Sequence, residues 1–550
     1  MNLTALFSTI VTPLSGSLPP LLPALALLVI LLPAAGSWLN ALITRSGVAS
    51  TDAAGLNARF GLASFLTSIV LAATFAISGP MDWKASSHPW FPLGLRVDIL
   101  TVVMLLLVSF LGAVVTRYAR NYLAGDPGRA RFSRWLGLTI SSVLVLIASG
   151  NLLLFTLAWM ATSLSLHRLL TFYPNRPAAI LAARKKFLIS RLGDLCLAGG
   201  LLLAWQCFGT WDFTAMFAAA ESARSLGESS PCLTSLAWLL VAAALLKSAQ
   251  FPFHSWLPDT METPTPVSAL MHAGIINAGG FLVVRLGPVV VNAPAALNTL
   301  ALVGAVTALF ASVVMLTQTS VKRSLAYSTI AQMGFMMLQC GLGAFSLAIL
   351  HLVSHSLYKA HAFLSSGSVI DLKRSAWTPT DRPAGHPGIL LLALLAAVGA
   401  TIGMGTLFGM KLTSDPGVIL LGAIFLMGLS YLYWNFWSTS HEASLLGWGG
   451  AIGLTAAAAY FGLHGAFDRL LADAVPHFAP ERSSFEYVVL GFVGLLFLAV
   501  LLFQSQLPVL SDQPLVRRLY VHASRGFYLG TWANRLTDRF FSSASNSHAH

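Results

Sequence analysis

Long apolar runs recur along this whole chain, and they constrain its fold more than any other feature. A bilayer core takes about 20 apolar residues per helix, and lipid offers no partner to free backbone groups, so such runs must become helices. Runs of that kind fall at 21–43, 58–79, 97–117, 133–150, 151–172, 186–208, 232–252, 266–286, 297–318, 321–341, 344–371, 387–411, 416–438, 442–463 and 484–505. Only 9% of the 550 residues are charged, against about 25% in a soluble protein. The expected fold class is an all-α polytopic membrane protein with about 15 transmembrane helices. A large soluble core is excluded.

Charge placement sets an expected orientation. The formal net charge of +12 is spread through short loops, a pattern that membrane orientation explains better than nucleic-acid binding. Basic residues gather at Arg45 and Arg59, Arg117 to Arg134, Arg168 to Lys186, Lys322 with Arg323, and Lys373 to Arg382. The alternate loops are poorer in them or mix in acids, as in Glu221 to Glu228 and Asp468 to Arg482. The positive-inside rule therefore places the N-terminus outside and the C-terminus in the cytoplasm, as in a multi-pass bacterial inner-membrane protein. No Lys or Arg precedes the first run, so it reads as a first span and not as a secretory signal. The four cysteines (Cys196, Cys207, Cys232 and Cys340) lack a CxxC pair or metal-ligand spacing and read as ordinary core residues. The tail after the last run mixes aromatic and basic residues at helical spacing, which fits a helix on the cytoplasmic membrane surface or on a partner.

Ionisable residues inside apolar runs point to function. The stretch KSAQFPFHSWLPDTMETPTPVSALMHAGIINAGGFLVVR, from Lys247 to Arg285, ends one run on a lysine, breaks the helix at Pro252 and Pro258 around Trp256 and Asp259, and starts the next run with His272 inside it. A charge at bilayer depth costs about 2.5–3.5 kcal/mol on insertion scales, so Lys247 is a candidate proton carrier. His351, His355 and Lys359 recur every four residues in HLVSHSLYKA, one helical stripe that water could bridge. Two histidines at that spacing could also ligate zinc, but no Glu or Cys completes a site there. Packing histidines satisfied by carbonyls are the stronger bland reading. Arg191 and Asp194, three apart, are expected to pair. Lys411 before Pro416 mirrors Lys247 before Pro252, as in transporters built from two repeats with interrupted helices, although a lysine near a helix end is more often a snorkelling anchor.

The segments KSAQFPFHSWLPDTMETPTPVSALMHAG and SVKRSLAYSTIAQMGFMMLQCGLGAFSLAILHLVSHSLYKAHAFLSSGSVI, with SRLGDL at 190–195, resemble the antiporter-like proton-channel subunits of respiratory complex I, of the NuoL (subunit 5) type, and their Mrp relatives. The resemblance runs from about Asp98 to Lys411. It implies two inverted half-channel repeats at 133–286 and 297–438, framed by N-terminal helices at 1–132, C-terminal helices at 439–505 and an amphipathic cytoplasmic tail at 506–550. It also implies that Lys247, His272, His351, His355, Lys359 and Lys411 form a central proton axis.

Two departures qualify that match. The family pattern has a glutamate after the tryptophan of LAWMATSLSLHRLL, where this chain has Met160, so Lys247 is expected to lack its usual carboxylate and the attraction that favours its charged form. His167, about 10 Å further along the helix, could take the glutamate's place only through water. The chain also stops soon after the last run, without the long lateral helix of the NuoL type, so it is not expected in a complex I arm. Both departures suit the DabB-type membrane subunits of inorganic-carbon accumulation systems. That resemblance implies a DabA-like cytoplasmic zinc protein as partner, similar to β-carbonic anhydrases, with no cofactor in this chain and zinc in the partner. The implied function is proton or sodium conduction that drives CO2 hydration in the partner. A proton-translocating subunit of a complex I-like or Mrp-type assembly is the alternative, and a non-conducting membrane scaffold a third.

Overall fold

A computed structural model of the chain describes residues 21–46, 50–86, 93–227, 230–367, 387–409, 416–439, 443–476, 484–510 and 512–546. Two long helices, α1 (Leu21–Arg45) and α2 (Ser50–Ser78), lead into a hairpin of β1 (Met81–Ser86) and β2 (Leu93–Val97). Then follow α3 (Ile99–Tyr122), α4 (Arg129–Ala148), α5 (Leu152–Leu170), α6 (Pro177–Phe208), the short α7 (Phe213–Ser225) and α8 (Pro231–Lys247). The chain next breaks into α9 (Trp256–Asp259), α10 (Thr265–Ala273), α11 (Ala278–Arg285) and α12 (Gly287–Val290). The second half comprises α13 (Pro294–Leu316), α14 (Val321–Gly341), α15 (Phe345–Leu364), α16 (Pro387–Leu407), α17 (Pro416–Thr439), α18 (Ala443–Leu471) and α19 (Ser484–Leu510), with the tail helices α20 (Pro514–Ser524) and α21 (Leu529–Asn546).

The all-α class holds, with one small hairpin added: β1 and β2 pair antiparallel, with Met81 opposite Val97 and a register shift between Lys84 and Ser86. Among the described residues, 12 helical spans are long and apolar enough to cross a membrane, so the expected count of about 15 is not confirmed. The shortfall has a physical cause. Helix α8 stops after 17 residues at Lys247, while α14 and α15 carry glutamine, histidine and lysine among their apolar residues.

Between helices in lipid, packing and polar contacts must replace the hydrophobic drive. At the α13–α14 seam the backbones touch: a Cβ on Gly304 would lie 2.5 Å from Leu338 N, and one on Gly334 would lie 2.5 Å from Ala308 N. Side-chain hydrogen bonds join α1, α2 and α4. Asn57 Nδ2 donates to Ser133 O at 2.6 Å, Ser141 Oγ to Ile30 O at 2.6 Å, and Ser64 Oγ to Val29 O at 2.7 Å.

The two ends of the bundle differ in chemistry. At the hairpin end, Asp98 caps α3 by accepting from Thr101 N at 2.8 Å. The buried Arg285 forks onto Asp98 and also donates to Thr101 Oγ1 at 2.7 Å, while Arg96 Nε reaches Asp98 at 3.0 Å. The same end holds a disulfide between Cys207 and Cys232, with Cα atoms 5.9 Å apart, which ties the end of α6 to the start of α8. The reading of all four cysteines as core residues is thus corrected for these two, since spacing along the chain does not report spatial pairing. Cys196 and Cys340 are free.

The opposite end is the basic one. Tyr173, in the α5–α6 loop, donates to Asp126 Oδ2 at 2.8 Å. Desolvation and that carboxylate push its phenol up to about 12, so it remains a donor at physiological pH. The tail folds back onto this end of its own chain: Gln318 Nε2 donates to Ser524 O at 3.3 Å, Phe527 packs 5.7 Å from Phe310, and Arg184 lies 4.9 Å over Phe541.

The glycine seam yields a stability test. Gly334→Val drives a branched side chain into the α13 backbone and is expected to abolish the monodisperse detergent-solubilised protein on size-exclusion chromatography. Wild-type behaviour of that variant would contradict the packing described.

Candidate functional site: a buried chain of lysines and histidines

Lys247 is the last residue of α8, 8% exposed, with its ammonium 4.3 Å from the centre of the Trp159 ring. A cation over a desolvated indole gains about 2 kcal/mol, but the ring accepts no proper hydrogen bond. Among the described residues, no oxygen accepts from the Lys247 ammonium. Helix α6 supplies its electrostatic neighbours. Asp194, 6% exposed, stands beside Trp159 and within electrostatic range of Lys247, Lys186 and Arg191. Arg191 pairs with Asp194 at 2.6 Å, as the spacing of the two residues predicts. Met160 supplies Lys247 with no carboxylate, and Asp194 of α6 acts on it electrostatically, without a contact ion pair among the described residues.

Lys186 is the residue that sequence reasoning misplaced. Grouped with a cytoplasmic loop, it is instead 3% exposed inside α6, donating to Ser163 O at 2.8 Å and Ser163 Oγ at 2.9 Å. It interacts electrostatically with Lys247, Arg191 and Asp194. His167 lies one turn beyond Ser163 on α5, within range of Lys186 and Arg191. Met160 is half-buried next to Trp159. A lysine flanked by Arg184 and Lys185 looks like a snorkelling anchor, and only the length of α6, 32 residues, places it within the bundle.

The helix break fixes a second lysine. Lys185, 2% exposed, pairs at 2.6 Å with Asp259 of the short α9. Trp256 and Pro258 are buried beside it, and Pro252 lies in the irregular stretch between α8 and α9. On the basic side of this break, Asp259, Glu262, Ser320, Lys322, Arg323 and Asn534 of the tail help to line a cavity of about 430 Å³.

The second cluster forms around α15. Lys359 is fully buried and donates to Ser328 Oγ at 2.7 Å and Leu325 O at 3.3 Å. His351 Nδ1 is 2.8 Å from Gln339 Oε1, and the His351 and His355 rings are 6.1 Å apart. His272 of α10 joins this group, 3.0 Å from Thr329 Oγ1, stacked at 4.4 Å on Phe363, and in electrostatic range of His355 and Lys359. His272, His351, His355 and Lys359 are thus brought together. Lys411 lies outside the described residues. Among the described residues no three His, Cys, Asp or Glu side chains gather closely enough to hold a metal ion.

Uncharged polar residues bridge the clusters. Ser248, next to Lys247, donates to Ile276 O at 2.7 Å, and Asn277 Nδ2 donates to Ser356 Oγ at 2.8 Å, next to His355. Ser248, Asn277 and Ser356 were not singled out from the sequence because a lone Ser or Asn in a span is common. The short 3-10 turn Ile275–Asn277, between α10 and α11, is what turns the Asn277 side chain towards α15.

A broken helix between two buried lysine clusters, inside a many-helix bundle, defines an antiporter-like membrane subunit. Comparison with known proteins agrees. Residues 149–382 match the family model described as NADH:quinone oxidoreductase/Mrp antiporter, and residues 83–133 match that of the complex I chain 5 N-terminus. The chain is 40% identical over 491 residues to the probable inorganic carbon transporter subunit DabB2 of Halothiobacillus neapolitanus, covering 88% of this chain and 87% of that protein. It is 44% identical over 312 residues to the DabB counterpart of Hydrogenovibrio crunogenus, covering 55% of this chain and 59% of that one. NADH-quinone oxidoreductase subunit L of Mycobacterium tuberculosis is 37% identical over 354 residues, 60% of this chain and 55% of that one. Its fold resembles a chain of the Mrp complex from Dietzia sp. with a TM-score of 0.64 at 23% identity, covering 94% of this chain and 60% of that one. The chain belongs to the family of antiporter-like membrane subunits that includes these complex I, Mrp and DabB proteins.

Shared neutralisation by Asp194 makes an energetic prediction. Asp194→Asn leaves buried cations without their carboxylate, a loss on the order of 3–5 kcal/mol, whereas Trp159→Leu removes about 2 kcal/mol. Thermal unfolding in detergent is expected to rank the midpoints wild type, Trp159→Leu, Asp194→Asn. An Asp194→Asn midpoint equal to wild type would contradict the arrangement.

Proposed function

We propose that this chain is the proton-conducting membrane subunit of an energy-coupled inorganic-carbon accumulation complex. Inward proton flow down the proton-motive force drives hydration of CO2 to bicarbonate in a cytoplasmic, zinc-bearing partner similar to β-carbonic anhydrases. The chain itself translocates ions and is not the enzyme. The observation that carries this reading is the buried sequence of proton-exchanging and hydrogen-bonding groups from Lys186 and Lys247, through Ser248, Asn277 and Ser356, to His355 and Lys359. Buried ionisable groups in a membrane are costly unless used, which argues against a passive scaffold. The carbon substrate is carried over from the DabB relatives, one of which aligns along nearly its whole length.

Two independent features support one orientation. Loop arginines and lysines gather at the end where the tail folds, which fits the cytoplasm. The Cys207–Cys232 disulfide lies at the other end, and disulfides persist in oxidising compartments such as the periplasm. A Cys196→Ser, Cys340→Ser background is expected to react with a membrane-impermeant maleimide in intact cells only after reduction. Labelling confined to inside-out vesicles would reverse the orientation.

Co-expression with the zinc-bearing partner in a carbonic-anhydrase-deficient host is expected to restore growth in air. Lys247→Ala or Lys359→Ala abolishes that rescue, and an uncoupler collapses carbon accumulation. Rescue that survives both substitutions overturns the reading, and uncoupler-resistant accumulation removes the proton-motive force from it.

A further inference from the structure

The stretch between Lys247 and α9 is held from outside its own helix. Helix α8 ends in a Schellman-type turn, with Gln250 N donating to Leu245 O at 3.2 Å. Ala249 takes the left-handed position of that turn at φ +51°, where glycine is usual. An alanine stays in that region only where its surroundings over-determine it. Helix α13 supplies part of those surroundings. Thr307 Oγ1 accepts from Phe251 N at 3.0 Å, and one turn on, the Phe310 ring lies 5.4 Å from Phe251 and 4.9 Å from His254. His254 is 1% exposed, so this ring contact is interior.

The tail reaches the same ring. Phe527 packs on Phe310 at 5.7 Å, and it does so from a second left-handed stretch: Gly526, Phe527 and Tyr528 stand at φ +57°, +50° and +63°. Two aromatic residues in succession are poorly suited to that region, and backbone of this kind clusters where function fixes the geometry. The turn is clamped from below. A Cβ on Gly526 would stand 2.8 Å from the Tyr327 hydroxyl of α14, and Gln318 Nε2 holds Ser524 O. Further along, Asn534 of α21 lines the cavity that Asp259 also lines, and Asp259 holds Lys185 at 2.6 Å. The tail thus meets the break twice, through Phe310 on its α8 side and across the cavity on its α9 side.

We propose that the tail is a strap that holds the helix break in its conducting geometry, with Phe527 as a positioning residue that acts through Phe310 on Phe251 and His254. Lys247 lies four residues before Phe251, and Ser248 between them donates to Ile276 O at 2.7 Å. A shift of the 249–254 stretch therefore moves the lysine and its neighbouring serine relative to α10 and α11. A tail that merely anchors itself to the bundle would loosen without moving the break. The consequence for conduction rests on the reading proposed above, whereas the mechanical link between tail and break is measurable without it.

The test is hydrogen–deuterium exchange, read by mass spectrometry, on the purified full-length chain in detergent. Phe527→Ala is expected to speed exchange of the amides in 248–262 by about fivefold or more, with those of α3 unchanged. Phe527→Leu keeps an apolar side chain on Phe310 and is expected to restore most of the protection. Trp532→Ala, at a residue of α21 that is 74% exposed, is expected to leave the break as in wild type. In liposomes, Phe527→Ala is expected to lower proton uptake about threefold or more, and Trp532→Ala to leave it unchanged. Unchanged exchange at 248–262 in Phe527→Ala, whatever the tail's own amides do, overturns the strap. Faster exchange there with undiminished uptake overturns its role in conduction. A wild type that takes up no protons overturns the conduction reading instead, and the exchange result still decides the strap.

Discussion

A lysine ammonium taken out of water must be given partners, and the core of this chain is arranged around that demand. Among the described residues, buried cationic side chains include Lys185, Lys186, Lys247, Arg285 and Lys359. They are accommodated in more than one way. Lys185 and Arg285 take a dedicated carboxylate, Asp259 and Asp98. Lys359 makes do with a hydroxyl and a carbonyl. Lys186 donates to the carbonyl and hydroxyl of Ser163, Lys247 lies over an indole face, and both interact electrostatically with Asp194. The first solution is structural, because a close pair with good geometry holds its charge in place. The others leave protons less tightly owned, which is the property that a transfer path requires.

The broken helix follows from the same demand. A continuous span through residues 247–285 would keep its backbone groups bonded to one another. Interruption at the Pro252–Pro258 stretch and again at Gly274–Asn277 releases carbonyls and polar side chains into the protein interior, where lipid cannot penalise them. Ser248 uses one of these carbonyls, that of Ile276, and Asn277 turns to Ser356. The polar contacts between the two lysine clusters thus exist because the helix does not. At the ends of the bundle, the Asp98–Arg285 fork and the Cys207–Cys232 disulfide hold the hairpin side, while the tail lies against α6, α13 and the α13–α14 loop on the basic side.

Much of this was legible in the sequence, for a physical reason. A charged or imidazole side chain inside an apolar run is rare enough to stand out, so Lys247, His272, His351, His355 and Lys359 declared themselves, and the three-residue spacing of Arg191 and Asp194 announced their pair. Lys186 did not, because at the start of a run it is indistinguishable from an interfacial anchor. The role of Asp194 beside Lys247 was hidden too, since it depends on how α6 packs on α8 and not on distance along the chain. Likewise Cys207 and Cys232 are 25 residues apart and meet only through tertiary structure. The polar bridge of Ser248, Asn277 and Ser356 is built from residue types too common to carry a signal. The overall class was fixed by hydropathy, and helices α14 and α15 fall on the runs read at 321–341 and 344–371, although their polar side chains keep them out of the 12 apolar spans.

The central claim is that the two lysine clusters belong to one proton path. It is tested most directly by reconstituting the chain with its partner in liposomes, imposing a membrane potential, and following internal pH with a trapped dye. The account predicts proton uptake that falls at least tenfold in Lys247→Ala and in Lys359→Ala alike, and falls also in Asn277→Leu, which cuts the bridge while leaving both lysines in place. Unchanged uptake in Asn277→Leu, together with loss in only one of the two lysine variants, would contradict a single continuous path.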